Sequence, residues 1–271
     1  FYIYSAYDPR LKEKRKAYDQ SQDKEEKDRL FGEILHLENQ VRRELSITLR
    51  QYVASLEQNL ETIAELDLTL AKIQLAEKWG CCIPEIAESG IVYDGLFHPL
   101  VKERLEESGG QFQPIDIQLD TTPTLITGAN MSGKTIFLRS IALAQWMFQL
   151  GYFIPAQQAQ IEPVEEIFIR QEEEESSEQG GLSSFASEIL WINNIIQEVR
   201  QGKKILILVD ELARTTNPTE GRALVSAFIE IMKQHPNFAL ITTHYSGVEG
   251  ECRRLRVRGL QGIDPHIEIT P

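Results

Sequence analysis

The sequence predicts an α/β fold, a mainly parallel sheet flanked by helices and preceded by a long helical arm. Three observations predict it. Unbroken apolar runs, "TLIT" (124–127), "KILILVDE" (204–211) and "FALITTH" (238–244), read as strands buried on both faces, as strands of a parallel sheet are. Helix-length stretches at 135–151, 184–199 and 220–234 separate them, and strand alternating with helix is the pattern of a doubly wound domain. Upstream the pattern changes altogether. Residues 9–79 contain one proline, Pro9, at their start and one glycine, Gly32, and apolar residues recur three or four apart.

The arm is justified by that spacing. Ile34, Leu37, Val41, Leu45, Leu49, Tyr52, Leu56, Leu60, Ile63, Leu66, Leu70 and Ile73 fall on one stripe of a helix, as in an amphipathic or coiled-coil-like rod. Before it, "RLKEKRKAYDQSQDKEEKDR" mixes both charge signs with few apolar residues and reads as a solvated helix or frayed arm. After "GCCIPEIAESG", glycine, proline and short β-branched runs take over. The expected division is an arm over 1–88 and an α/β domain over 89–271.

Composition bounds the function. The 271 residues are 42% hydrophobic and 25% charged, values of an ordinary globular protein. No apolar stretch approaches the ~20 residues of a spanning helix, and no charged-then-apolar leader opens the chain. The expectation is therefore a cytoplasmic protein with no membrane partner. Three cysteines, two of them adjacent (Cys81, Cys82), show no metal-type spacing and read as free thiols. The formal net charge of −13 argues against this segment gripping nucleic acid, since that affinity comes from Lys and Arg neutralising phosphates. The chain opens on Phe1 and stops soon after a strand-like "HIEI", which suggests a piece of a longer protein.

The chemistry is concentrated where strands end. "GANMSGKT" (128–135) follows "TLIT" and precedes a helical stretch, the setting in which Gly-x-x-x-x-Gly-Lys-Thr cradles phosphates. In that reading the backbone of Gly128, Ala129, Asn130, Met131, Ser132 and Gly133 wraps the phosphates, helped by the positive end of the following helix. Lys134 reaches the β- and γ-phosphates, and the Thr135 hydroxyl binds Mg²⁺. "ILILVDE" is the matching acidic strand end. Asp210 completes the Mg²⁺ shell, and Glu211 orients or deprotonates the attacking water. His244 ends the next strand, where an imidazole can sense the γ-phosphate; a structural, hydrogen-bonded histidine is the plainer alternative.

With those residues in place, "LITGANMSGKT", "ILILVDELARTTNPTEG" and "ITTHYSGV" resemble the ATPase domain of the MutS proteins, clamps of DNA mismatch repair related to ABC-type P-loop NTPases. "IAELDLTLAKIQLAEKW", "GLFHPLV" and "GYFIPAQQAQI" are similar to flanking elements of that family, and "GGLSSFASEI" (180–189) resembles its Ser-rich signature. The likeness covers roughly residues 49–248, and motifs in this order are specific.

The resemblance implies a composite ATPase using ATP and Mg²⁺, in which two ATPase domains face each other. Ser183 is then the candidate that reaches the partner's nucleotide in trans. Arg214, Thr215 and Thr216 fall in the family's subunit-facing loop, and a homodimer or MutS-like heterodimer is expected. Phe112 sits where the family often places an aromatic against adenine, although a Phe before a Pro also serves as packing. The chain departs from the family in following Thr135 with Ile136 rather than a second hydroxyl, and in reading Arg-Thr-Thr after the acidic pair. "NPTEG" resembles the MutS-like paralogues that lack a mismatch-reading domain. The acidic "QEEEESSEQ" (171–179) would repel a triphosphate, so the loop is expected to turn outward until a partner orders it.

Two functions follow from the resemblance. One is the ATPase module of a repair or recombination clamp, with DNA held by regions outside this segment. The other is a MutS-like ATPase acting on a protein partner, such as a reactivase of a cobalamin-dependent aminomutase. A non-hydrolysing nucleotide-binding scaffold is a third reading, opposed by the presence of Lys134, Thr135, Asp210, Glu211 and His244.

Overall fold

The computed structural model describes residues 3–128, 133–170, 184–214, 216–257 and 269–270. The chain divides into two compact units, Phe1–Leu70 and Ala71–Pro271.

In the first unit, helix α1 (Pro9–Gln20) packs against α2 (Lys24–Arg50). Asp8 caps α1 by accepting from the Arg10 amide at 2.8 Å, and Asp23 caps α2 by accepting from that of Glu25 at 3.2 Å. Each satisfies an amide that the first turn leaves without an intrahelical partner. Leu11, Ile34, Leu37 and Val41 form a small core with Ile3, so the charged stretch read as a solvated helix contains one fully buried leucine. Across this core Arg15 donates to the Glu38 carboxylate at 2.6 Å, and Arg42 binds the other oxygen at 3.0 Å.

The arm expected as one rod is interrupted. Ser21 and Asp23 separate α1 from α2, and α2 gives way to α3 (Val53–Trp79) at 51–52. There the Tyr52 amide donates to the Leu49 carbonyl at 2.9 Å, an i to i−3 bond that tightens the turn and breaks the α-helical ladder. Only the first part of the apolar stripe is buried. Leu56, Leu60, Ile63, Leu66 and Leu70 on α3 are exposed in this chain.

The second unit is built around a sheet whose described strands run in the order β10–β9–β4–β8–β7–β6. These are β4 (Thr124–Gly128), β6 (Glu166–Arg170), β7 (Ile205–Val209), β8 (Phe238–Thr242), β9 (Arg253–Val257) and β10 (Ile269–Thr270). All neighbours pair in parallel except β10 with β9. Strands β7 and β8 are buried along their whole length, as their unbroken apolar composition requires.

Alternation along each strand divides the core into two layers. Leu206 and Leu208 of β7 and Leu240 of β8 face a cluster with Phe137, Leu138 and Ile141 of α5 (Lys134–Gln149). Ile205, Ile207 and Val209 face the opposite cluster. That layer is completed by Ile195 and Val199 of α6 (Ser184–Arg200) and by Val225, Phe228, Ile229 and Met232 of α7 (Pro218–Gln234). Strands covered by helices on both faces constitute the doubly wound architecture. Asn217 caps α7 by accepting from the Thr219 and Glu220 amides at 3.1 and 2.9 Å.

A smaller sheet, β1–β5–β2–β3, comprises β1 (Glu85–Ile86), β2 (Ile91–Leu96), β3 (Ile115–Leu119) and β5 (Gln158–Ile161). Ile91, Tyr93, Ile117 and Ile161 join it to the α5 side of the main core. The "GLFHPLV" stretch ends β2 and starts α4 (Pro99–Glu107), with His98 at the cap position. Among the described residues no helix is long and apolar enough to cross a membrane, and Cys81, Cys82 and Cys252 are free thiols.

Candidate nucleotide site

Sheet order decides what meets at the carboxyl ends of the strands. Strand β8 lies between β4 and β7, so the loop after β4, the end of β8 and the acidic pair after β7 are neighbours. Ligands of open α/β sheets bind at that edge. Gly133 closes the loop after β4 with φ of 94° and stands as the cap of α5, a left-handed conformation that costs glycine little. Ala129, Asn130, Met131 and Ser132 lie outside the described residues.

Lys134 opens α5 and is buried. Its Nζ donates to the Gly128 carbonyl at 3.0 Å and lies 4.0 Å from the Glu211 carboxylate. The Thr135 hydroxyl donates to Asp210 Oδ2 at 2.5 Å. The other carboxylate oxygen, Oδ1, accepts from the Thr242 hydroxyl at 2.7 Å. Thr242 is fully buried, and its Oγ1 also accepts from the Glu211 amide at 2.8 Å. The structure therefore brings together Lys134, Thr135, Asp210 and Glu211, which sequence reasoning singled out, and adds Thr242, which it missed. Nothing in "ITTH" marks the first threonine; its role comes from β8 lying beside β7.

The segment after β7 is strained. Glu211 has φ of 51° and Ala213 φ of 65°, left-handed values that cost a non-glycine residue roughly 1–2 kcal/mol each. Hydrogen bonds from three directions hold it. The Leu212 amide donates to the Thr242 carbonyl at 3.3 Å. The Ala213 amide donates to the buried Glu188 carboxylate of α6 at 2.8 Å, and the Ala213 carbonyl accepts from the Tyr245 hydroxyl at 2.7 Å. Burial, with the charges of Glu188 and Glu211, raises the Tyr245 hydroxyl above the ordinary phenol range, so it stays a donor. Gly221, in the first turn of α7, makes room for that ring. A Cβ there would lie 2.4 Å from Tyr245 Cζ.

His244 follows β8 and is exposed, its ring 4.2 Å from that of Tyr245 between centroids. Among the described residues no hydrogen bond or ion pair joins it to Lys134, Asp210 or Glu211. Phe112 is partly buried and packs against the main core ahead of β3. Ile136 is half-buried on α5, and Thr135 supplies the hydroxyl facing Asp210 without a second one beside it. Ser183, Thr215 and the acidic stretch 171–179 lie outside the described residues.

A glycine-ended loop between a buried strand and a helix, with an acidic strand end two strands away, is the P-loop NTPase form of the doubly wound fold. The comparisons with known proteins narrow this. Residues 124–257 match MutS domain V. The chain is 36% identical over 212 residues to an endonuclease MutS2 of Clostridium tetani, covering 76% of this chain and 26% of that one. It is 33% identical over 228 residues to a DNA mismatch repair protein MutS of Brevibacillus brevis, covering 82% and 26%. By its domain V the chain belongs to the MutS family. It spans about a quarter of the length of these relatives.

Proposed function

We propose that this chain binds and hydrolyses ATP as the motor module of a MutS-type protein, in which dimer closure on nucleotide is passed through the arm of residues 1–88 to a DNA-holding region outside this segment. The observation that carries the reading is the hydrogen-bonded set joining Thr135, Asp210, Thr242 and the Glu211 amide, with Lys134 4.0 Å from the Glu211 carboxylate.

The residues fit their roles by chemistry. The loop 128–133 and the first turn of α5 offer backbone amides and a positive dipole end to the triphosphate, Asn130 included. Lys134 exchanges its Gly128 carbonyl for phosphate oxygens. Thr135 and Asp210 present only oxygen donors, the set a hard divalent cation prefers, and would hold Mg²⁺. Bound there, Mg²⁺ would neutralise charge on the phosphate oxygens. Glu211 takes a proton from the attacking water as its oxygen bonds to the γ-phosphorus and the bond to the β-γ bridging oxygen breaks. ADP and phosphate leave. His244, two residues beyond the end of β8, senses the γ-phosphate. Phe112 borders the adenine, and Ser183 reaches the partner's nucleotide across the dimer.

The names of the relatives, a mismatch repair protein and an endonuclease, support DNA as the ultimate target. The net charge of −13 favours the second reading, an ATPase acting on a protein partner such as a cobalamin-dependent aminomutase. In the full-length protein, Glu211→Gln is expected to abolish most turnover while ATP still binds, and Lys134→Ala to weaken binding itself. Wild-type turnover in the first variant removes Glu211 from the mechanism; wild-type affinity in the second removes the phosphate loop. DNA-stimulated turnover that weakens as salt rises supports the clamp, and turnover indifferent to DNA supports the protein partner.

A further inference from the structure

The Ala213 peptide is gripped at both ends by side chains from separate elements. Glu188, five residues into α6, accepts from its N–H; Tyr245, beyond β8, donates to its carbonyl. Both side chains are buried, Glu188 at 4% and Tyr245 at 8% exposure, so neither bond is exchanged cheaply for water. The gripped residue is in the left-handed region, as is Glu211 two positions earlier. An unfavourable conformation persists only where its surroundings over-determine it.

We propose that Glu188 and Tyr245 are positioning residues that clamp Ala213 and thereby hold the Glu211 carboxylate where it meets the attacking water, so that turnover depends on α6 keeping its place against the segment after β7. Neither side chain touches the phosphates in this scheme. They act through the backbone from Ala213 back across Leu212 to Glu211, left-handed at both ends, and a displacement of a base by about 1 Å is enough to cost on the order of a hundredfold in rate. Gly221 belongs to the device, because its missing side chain is the space through which the Tyr245 ring reaches Ala213. The inference rests on Glu211 being the base.

The test uses full-length protein with Glu188→Ala, Glu188→Gln, Tyr245→Phe, Gly221→Ala and, as the reference, Glu211→Gln. Binding of a fluorescent ATP analogue and steady-state ATP turnover are measured on each. Glu188→Ala, Tyr245→Phe and Gly221→Ala are expected to lower kcat roughly tenfold or more, the equivalent of one lost buried hydrogen bond, with nucleotide affinity within about twofold of wild type. Glu188→Gln keeps an acceptor oxygen and is expected to recover most of the rate. Wild-type kcat in both Glu188→Ala and Tyr245→Phe, while Glu211→Gln is inactive, overturns the clamp and leaves the ATPase reading intact. Wild-type turnover in Glu211→Gln sinks both together. Loss of nucleotide binding alongside turnover in every clamp variant, Glu188→Gln included, makes the contacts merely structural and also overturns the proposal.

Discussion

Thr242→Val isolates one hydroxyl that serves two masters. Valine keeps the branched shape, so packing at this fully buried position changes little. What is lost is the bond to Asp210 Oδ1 at 2.7 Å and the acceptor for the Glu211 amide at 2.8 Å. A hydrogen bond to a charged group contributes about 1.5–3 kcal/mol, and a buried amide left without a partner costs about 1–3 kcal/mol. The two together come to about 2.5 kcal/mol at the low end, a factor of somewhat under a hundred in the local opening equilibrium. Hydrogen exchange of the peptide spanning 210–216 should therefore quicken by about that factor, and turnover should fall with it. Thr242→Ser keeps the hydroxyl and should show little of either effect. Unchanged exchange and unchanged turnover in the valine variant would refute the idea that Thr242 supports both acidic residues.

Gly133→Ala forces a left-handed φ of 94° on a residue with a side chain, a strain of roughly 1–2 kcal/mol, so nucleotide affinity measured by titration should fall about tenfold. Ile207→Ala opens a cavity where a fully buried β7 side chain meets the α6 and α7 layer; thermal unfolding should show about 2–5 kcal/mol lost, and a loss below about 1 kcal/mol would contradict the assigned face. Burial, with a smaller effect of Cys82, pushes the Cys81 thiol up to about 11. Since the thiolate is the nucleophile, alkylation of Cys81 at pH 8 should run roughly a hundredfold slower than for an ordinary cysteine and accelerate as pH rises; mass spectrometry of the labelled peptide reads this directly.

The parts of this molecule that were legible in sequence are those where local chemistry and topology coincide. Continuous apolar runs foretold β4, β7 and β8 because burial on both faces removes the polar half of each strand. That Lys134, Thr135, Asp210 and Glu211 belong together was legible because a lysine and a hydroxyl after one buried strand and an acidic pair after another fall at the same edge of a parallel sheet. Thr242, Glu188 and Tyr245 were not, since each acts on a residue far away in the chain that only the strand order brings near. The left-handed Glu211 and Ala213 carry no glycine to announce them. The arm misled in one respect. Heptad-like spacing continues through 51–52, but periodicity reports which side is apolar and is silent about a turn that tightens.

The fit between Gly221 and Tyr245 also constrains descent. A ring lying where a β-carbon at position 221 would project means that the two positions share one volume, and neither can drift without the other. Lineages that acquired a larger residue at the first should have surrendered the aromatic at the second, and with it the hydroxyl that restrains the turn. Pairs of substitutions, rather than single ones, are what a family history of this domain should record there.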